Sequence, residues 1–240
     1  MEFQHLVAPT YKELFIQEIE TGILSGKLPI GSKLPTEREL SKQMGVSRAV
    51  INGGINELVQ KGFLEVIPRV GAYVSDYKRR GKLETLQIIL EYHNGHFDKK
   101  TLASIFEVCD SSMQHVARLA AENNNAETIK ELRDQYKLLS ATSTAKEFAE
   151  TNAEFYHLLA IASDNIMYPF KVESYRPLYY VIIKLFYKYA SPEVIEMSLG
   201  WIEKLIDGIE SGDGDQAADC ITQINKLGHA CLQEFCCTDK

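Results

Sequence analysis

Residues 36–62 read TERELSKQMGVSRAVINGGINELVQKG and contain the strongest fold signal of the chain. Thr36 and Glu39 have the spacing of a capping box, in which each side chain bonds the other residue's backbone amide at the start of a helix. Gly45 can adopt the positive φ of a tight turn, and Ser47 can cap the helix that follows. Two short helices joined by a glycine turn form a helix-turn-helix.

The residues on either side complete a larger unit. Upstream, apolar residues at helical spacing predict an amphipathic helix over residues 9–25. Downstream, residues 63–67 and 72–75 favour two strands joined by a turn. A hairpin directly after a helix-turn-helix makes a winged helix.

The charge of the chain is unevenly distributed. The 240 residues are 45% hydrophobic and 25% charged, which is typical of globular proteins, and the net charge of −7 by itself argues against a nucleic-acid partner. Residues 27–80, however, hold ten Lys or Arg and five Asp or Glu, a net +5 that leaves −12 on the rest. This asymmetry indicates that one end meets phosphates, with chance surface variation as the alternative.

From Leu83 onward the pattern is typical of helices alone. We therefore predict a mainly α protein with a winged helix-turn-helix and small β-hairpin at residues 1–75, a polar basic linker at 76–83, and an all-helical bundle of about seven helices at 84–240. No apolar run approaches the ~20 residues of a membrane span. The N-terminus lacks signal-peptide features, and the cysteines have no disulfide-scaffold spacing, so we expect a cytoplasmic protein without a membrane partner.

Three motifs within residues 31–62 carry a family resemblance: GSKLPTEREL at 31–40, GVSR at 45–48, and Leu58 followed by Gly62. Together they resemble the DNA-binding domain of the GntR family of bacterial transcriptional regulators. The helical part resembles the effector domain of the FadR subfamily, including its fatty-acid-responsive member. The landmarks of the subfamily are Phe155, ASDN at 162–165, Gly212-Asp213, Ala217-Ala218 and His229. The likeness to the fatty-acid-responsive member rests on Leu178-Tyr179, Ser191-Pro192-Glu193 and Leu227-Gly228-His229.

The second helix of the pair is expected to enter the DNA major groove with its N-terminal end. Ser47 can donate to a phosphate, and Arg48 can fork onto guanine, which is worth roughly 1–3 kcal/mol of base discrimination. The resemblance implies operator contacts for Arg38 and Arg48, and Arg69 at the wing tip is suited to a minor groove. The predicted DNA-binding residues are Lys33, Thr36, Arg38, Lys42, Ser47, Arg48, Asn52 and Arg69, with solvated surface cations as the alternative for the charged ones.

The recognition helix departs from the family pattern. The resemblance implies an arginine at Asn52 and an acidic residue at Gly53. Because asparagine pairs with adenine, we expect a different base preference at the position facing Asn52. Gly53 and Gly54 each cost about 1 kcal/mol relative to alanine in a helix interior. They predict either a softer helix or close packing that leaves no room for a side chain.

The resemblance also implies a metal site made of one Asp or Asn and three His. Its positions here are Asn152, Tyr156, Ile202 or Glu203, and His229. Zinc typically takes four ligands, and a single imidazole does not hold it, so we expect no metal and no other cofactor.

Aromatic residues on predicted inward faces favour an interior cavity for an acyl chain or another mostly apolar metabolite, with plain core packing as the alternative. Cys109 stands where the family often has an arginine for ligand carboxylates. The predicted ligand-binding residues are Cys109, Asn152, Tyr156, Tyr179, Phe186, Tyr187, Trp201 and His229.

These features predict a homodimeric, ligand-responsive regulator that binds an inverted repeat in double-stranded DNA. An acyl-CoA, a fatty acid or another carboxylic acid is a candidate effector. The alternative is a DNA-binding dimer whose C-terminal domain only dimerises and binds no effector. An enzyme is less favoured, because the sequence has no Gly-rich phosphate loop, nucleophile elbow, H-E-x-x-H motif or paired-carboxylate signature.

Overall fold

The computed structural model describes residues 8–93 and 98–236, and within them the chain is mainly helical, as predicted. These described residues form eleven helices and one two-stranded hairpin. The chain divides into two compact units, Met1–Tyr92 and His93–Lys240. The predicted helix break at residues 94–95 lies outside the described residues.

The first unit is the predicted winged helix-turn-helix. Its two strands pair antiparallel, with Leu64 opposite Val74 and Ile67 opposite Gly71. Its elements are α1 (Tyr11–Leu24), α2 (Glu37–Met44), α3 (Arg48–Gln60), β1 (Leu64–Ile67), β2 (Gly71–Val74), α4 (Tyr77–Arg80) and α5 (Leu83–Tyr92).

Residues 31–34 extend the hairpin on its other side, which the sequence did not predict. The amide of Leu34 donates to the carbonyl of Ala72 at 2.9 Å, and the amide of Val74 donates to the carbonyl of Ser32 at 2.9 Å. The segment before α2 is therefore held along β2.

The helix-turn-helix has the predicted caps. The amide of Glu39 donates to the Thr36 hydroxyl at 3.3 Å, and the amide of Thr36 donates to the Glu39 carboxylate at 2.8 Å. Gly45 ends α2 with a φ of 68°. The Ser47 hydroxyl accepts from the amide of Val50 at 3.3 Å and caps α3. Local hydrogen bonds thus set where both helices begin.

The two glycines of α3 have different environments. A Cβ atom added to Gly54 would lie 2.3 Å from Cδ1 of the buried Phe15 on α1, so the ring occupies the space of a side chain. A Cβ atom added to Gly53 would lie 3.6 Å from Cδ of Lys12, an ordinary contact. Close packing accounts for Gly54 and leaves Gly53 unexplained.

The segment predicted to be a linker packs against the first unit. Its Tyr77 ring lies 5.7 Å from the Phe63 ring, and its Arg80 pairs with Glu65 at 2.7 Å. The buried hydroxyl of Thr85 on α5 donates to the carbonyl of Lys61, which follows α3. These contacts place α5 in the first unit and move the boundary from 83/84 to 92/93.

The second unit contains six helices over its described residues. The sequence predicted seven, but the first of them is α5, which belongs to the first unit. Its largest fully buried side chains include Leu132, Phe148, Phe155, Leu159, Ile202 and Leu205. No helix over residues 8–93 and 98–236 is long and apolar enough to span a bilayer. The helices are α6 (Lys99–Asn123), α7 (Ala126–Ser140), α8 (Ala145–Ala162), α9 (Met167–Tyr189), α10 (Pro192–Ser211) and α11 (Gly214–Cys236).

Alanine substitution at the two glycines is expected to have opposite effects on stability. Gly54→Ala should lower the free energy of unfolding by about 1–3 kcal/mol, because the new methyl group collides with Phe15. Gly53→Ala should raise it by up to about 1 kcal/mol, because alanine is the better helix former. Denaturation of the full chain, followed by circular dichroism, measures both. Equal effects of the two substitutions would contradict the packing described here.

Candidate nucleic-acid interface and interior cavity

The N-terminal end of α3 is open to solvent. Ser47 uses its hydroxyl oxygen as the helix cap, which leaves the hydroxyl hydrogen able to donate outward. Arg48, the first residue of α3, is exposed and forms no ion pair with any described residue. Arg48 therefore does not have to break an ion pair with another described residue before its guanidinium contacts a base or a phosphate.

The other predicted DNA-binding cations resemble Arg48 in being exposed and free of ion pairs with described residues. None of them is ion-paired within the described part of the chain, and all are exposed: Lys33, Arg38, Lys42 and Arg69. The ammonium of Lys33 lies 5.9 Å from the centroid of the Tyr73 ring on β2. In contrast, four other cations of the same unit pair with carboxylates: Lys12, Lys61, Arg79 and Arg80.

Arg69 lies at the tip of the wing in a strained conformation. The amide of Val70 donates to the carbonyl of Ile67 at 3.0 Å and closes a turn with Pro68 and Arg69 at its centre. Arg69 has a φ of 64°, in the left-handed region that favours glycine or asparagine at this position. An arginine costs stability here, but the turn holds its side chain at the exposed end of the hairpin.

Asn52 and Thr36 are already hydrogen-bonded within the protein. The Asn52 amide donates to Glu37 on α2 at 3.0 Å and accepts from Asn56 at 3.1 Å. The Thr36 hydroxyl donates to Glu39 at 2.8 Å while accepting from its amide. A contact from Asn52 to adenine must therefore compete with Glu37. No local pattern in the sequence marks this link between α2 and α3.

The second unit contains a partly open cavity of about 50 Å³ among α6, α8, α9, α10 and α11. This volume holds on the order of four water molecules. Five of the predicted ligand-binding residues line it: Cys109, Asn152, Tyr156, Tyr179 and Phe186. Ser198 and Asn225 also line it and were not predicted, since each is one of several polar residues on an amphipathic helix.

The polar groups of the cavity are uncharged at neutral pH. Burial raises the pKa of the Tyr156 phenol, and burial is also the main cause that raises the pKa of both Cys109 and Tyr179. The Cys109 and Tyr179 side chains lie close enough together to influence each other's pKa. Asn152 is 4% exposed, and its Oδ1 atom has no hydrogen-bond partner among the described residues.

Three predicted ligand-binding residues lie away from this cavity. Tyr187 packs its ring 4.8 Å from the Phe148 ring, and Trp201 lies under the ammonium of Lys204 at 4.4 Å. His229 lines an open groove outside, edge-on to the Phe106 ring at 5.5 Å. The sequence identified these aromatic residues but not which of them face the cavity.

The residues at the family's metal positions do not fit a metal ion. Ile202 is fully buried in the core, Glu203 is exposed, and His229 lies in the outer groove. Only Asn152 and Tyr156 reach the cavity, and neither an amide nor a neutral phenol is a strong ligand for a borderline metal. Within the described residues, no three His, Cys, Asp or Glu side chains gather in one place.

A winged helix-turn-helix with unpaired cations, joined in one chain to a helical unit with an interior cavity, defines a DNA-binding regulator with a sensory domain. Residues 11–74 match the family described as "Bacterial regulatory proteins, gntR family", and residues 114–226 match the "FCD domain". The chain therefore combines a GntR-type DNA-binding domain with an FCD effector-binding domain: it is a DNA-binding transcriptional regulator, and not an enzyme.

Relatives of similar length are also named as regulators. "HTH-type transcriptional regulator Mce2R" of Mycobacterium tuberculosis is 29% identical over 181 residues, 74% of this chain and 75% of that protein. "Fatty acid metabolism regulator protein" of Proteus mirabilis is 25% identical over 208 residues, 87% of this chain and 84% of that protein. The fold resembles a solved structure titled "Lar controls the expression of the Listeria monocytogenes agr system and mediates virulence", with a TM-score of 0.68, 15% identity, and coverage of 96% of this chain and 100% of that one.

Arg69→Gly is expected to separate stability from DNA binding. Glycine relieves the left-handed strain, so the free energy of unfolding should rise by up to about 1 kcal/mol, while DNA affinity falls because the wing loses its cation. Thermal denaturation and fluorescence anisotropy with duplex DNA measure the two effects. Asp164→Gly is a matched control in the second unit, because Asp164 has a φ of 53° and should gain stability without a change in DNA binding. Unchanged DNA affinity in Arg69→Gly would remove Arg69 from the interface.

Proposed function

We propose that this protein acts as a homodimer that binds an inverted repeat in double-stranded DNA, and that a small, mostly apolar or acyl effector in the helical unit changes its affinity for DNA. The observation that carries this proposal is the N-terminal end of α3, where Ser47 caps the helix and Arg48 is exposed without an ion partner. This arrangement is the one that a recognition helix needs to reach base edges in the major groove.

The proposed dimer follows from how such helices read DNA. One recognition helix covers only part of an operator, and a twofold protein binds two half-sites about one helical turn apart. Lys33, Arg38, Lys42 and Arg69 would contact the DNA backbone or a groove around each half-site. Such phosphate contacts fix orientation without specifying sequence.

The proposed effector site is the cavity around Asn152 and Tyr156. Its lining is apolar apart from a few uncharged polar groups, which suits a mostly apolar molecule. The regulators of Proteus mirabilis and Shewanella named for fatty acid metabolism support an acyl-type ligand. The cavity holds only a few waters, so a long acyl chain would require its walls to move apart. An effector changes DNA affinity only through its different affinities for the two arrangements of the protein.

The alternative function is a DNA-binding dimer with no effector. The unpartnered Oδ1 of Asn152 favours the effector, because a purely structural core normally satisfies its buried polar atoms. A thermal shift assay against acyl-CoAs and small carboxylic acids tests this choice. A specific ligand at about 100 times its Kd should stabilise the protein by roughly 2.7 kcal/mol. No shift with any compound would favour the dimeriser.

Loss of Arg48 is expected to reduce sequence-specific binding. The operator is first selected from a random DNA pool, which also reports the base that faces Asn52. Arg48→Ala should then weaken operator binding by at least about fivefold, since a bidentate guanine contact contributes roughly 1–3 kcal/mol. Binding to unrelated duplex should fall less, so selectivity decreases with affinity.

Lys146→Ala is the matched control for Arg48→Ala, because Lys146 is an exposed cation on α8 in the second unit. Its removal changes the net charge by the same amount and should leave operator binding unchanged. If Arg48→Ala keeps the affinity and selectivity of the parent, α3 is not the recognition helix.

A further inference from the structure

The lining of the interior cavity lacks any charged side chain among the described residues. Its polar members are Cys109, Asn152, Tyr156, Tyr179, Ser198 and Asn225. An ionised carboxylate moved from water into such a site loses its hydration without gaining a cation, and this cost is large. The composition of the wall therefore disfavours a free carboxylate inside the cavity.

Asn152 provides a specific hydrogen-bonding position in this wall. It lies on α8, is more than nine-tenths buried, and forms no side-chain hydrogen bond with the described residues. Asn225, the other amide of the wall, differs, since its side chain donates to Asp110 at 3.1 Å. A buried carbonyl oxygen without a donor is costly to retain, and a ligand that carries the donor removes that cost.

We infer that the cavity binds an uncharged molecule with an apolar body and an N–H or O–H group that donates to Oδ1 of Asn152, and that it excludes free carboxylates. This inference rests on the proposed function, because it takes the cavity as the effector site. The volume of about 50 Å³ limits the part of the ligand inside to a short chain unless the walls move. A primary amide fits especially well, because it can also accept from the Asn152 amide nitrogen.

Three small probes with one heavy-atom skeleton test the inference. Butanamide is neutral and carries a donor, methyl propyl ketone is neutral without a donor, and butanoate is ionised at pH 7. Binding to the full-length protein is measured by saturation-transfer NMR titration. Butanamide should bind at least about fivefold tighter than the ketone, and butanoate should bind most weakly of the three.

The variant Asn152→Leu tests whether the side-chain amide of Asn152 causes the preference for butanamide over the ketone. Leucine has a similar shape and removes the unpaired oxygen, so the preference for butanamide over the ketone should disappear. The melting temperature should stay or rise, whereas a structural role for Asn152 would lower it. Tyr187→Phe is the matched control: it removes a hydroxyl on α9 outside the cavity and should keep the preference for the amide. If the leucine variant does not fold, the probe ranking on the unmodified protein decides.

The outcomes separate this inference from the proposed function. Tighter binding of butanoate than of butanamide would overturn the ligand class while leaving an effector site in place. Equal binding of butanamide and the ketone would overturn the role of Asn152. Failure of all three probes would overturn the inference, and the thermal shift assay with acyl compounds would then judge the effector site independently.

Discussion

The Phe15 ring lies against the backbone of α3 at Gly54, and the packing of α3, the proposed recognition helix, on α1 depends on this contact. Because no side chain intervenes, the middle of α3 lies directly against α1 and is buried there. Ile51 and Leu58, on the same side of α3, are also fully buried. Asn52 lies off this side and Arg48 is the first residue of α3, and both stay exposed. Packing against α1 thus fixes the buried side of α3 and leaves these residues available for the proposed DNA contacts.

The polar groups without a partner lie on the surface in the first unit and in the interior in the second. In the first unit, cations at the proposed interface stay unpaired on the surface, where hydration stabilises them at little cost. In the second unit, Asn152 keeps an oxygen without a protein partner in the interior, where an unsatisfied polar atom costs more free energy. In both units, polar groups lack a partner within the described residues. A bound molecule can supply that partner, DNA for the cations and a small ligand for the Asn152 oxygen.

Local signals predicted the first unit well, and the cavity less well. The caps of α2 and α3 depend on residues three positions apart, so the sequence of Thr36 to Ser47 contains the information. The lining of the cavity depends on the rotation and neighbours of five helices. Trp201 and Tyr156 have similar patterns in sequence, yet only Tyr156 reaches the cavity. The fit of Phe15 on Gly54 likewise joins residues far apart in the chain, and periodicity alone does not show it.

Thr85 joins α5 to the C-terminal end of α3. Its buried hydroxyl donates to the carbonyl of Lys61 and accepts from the amide of Lys82, while the Lys82 ammonium donates to the carbonyl of Gln60. These bonds tie the start of α5 to the C-terminal end of α3. A displacement of α5 would therefore pull directly on the last turn of α3, the helix proposed to contact the DNA.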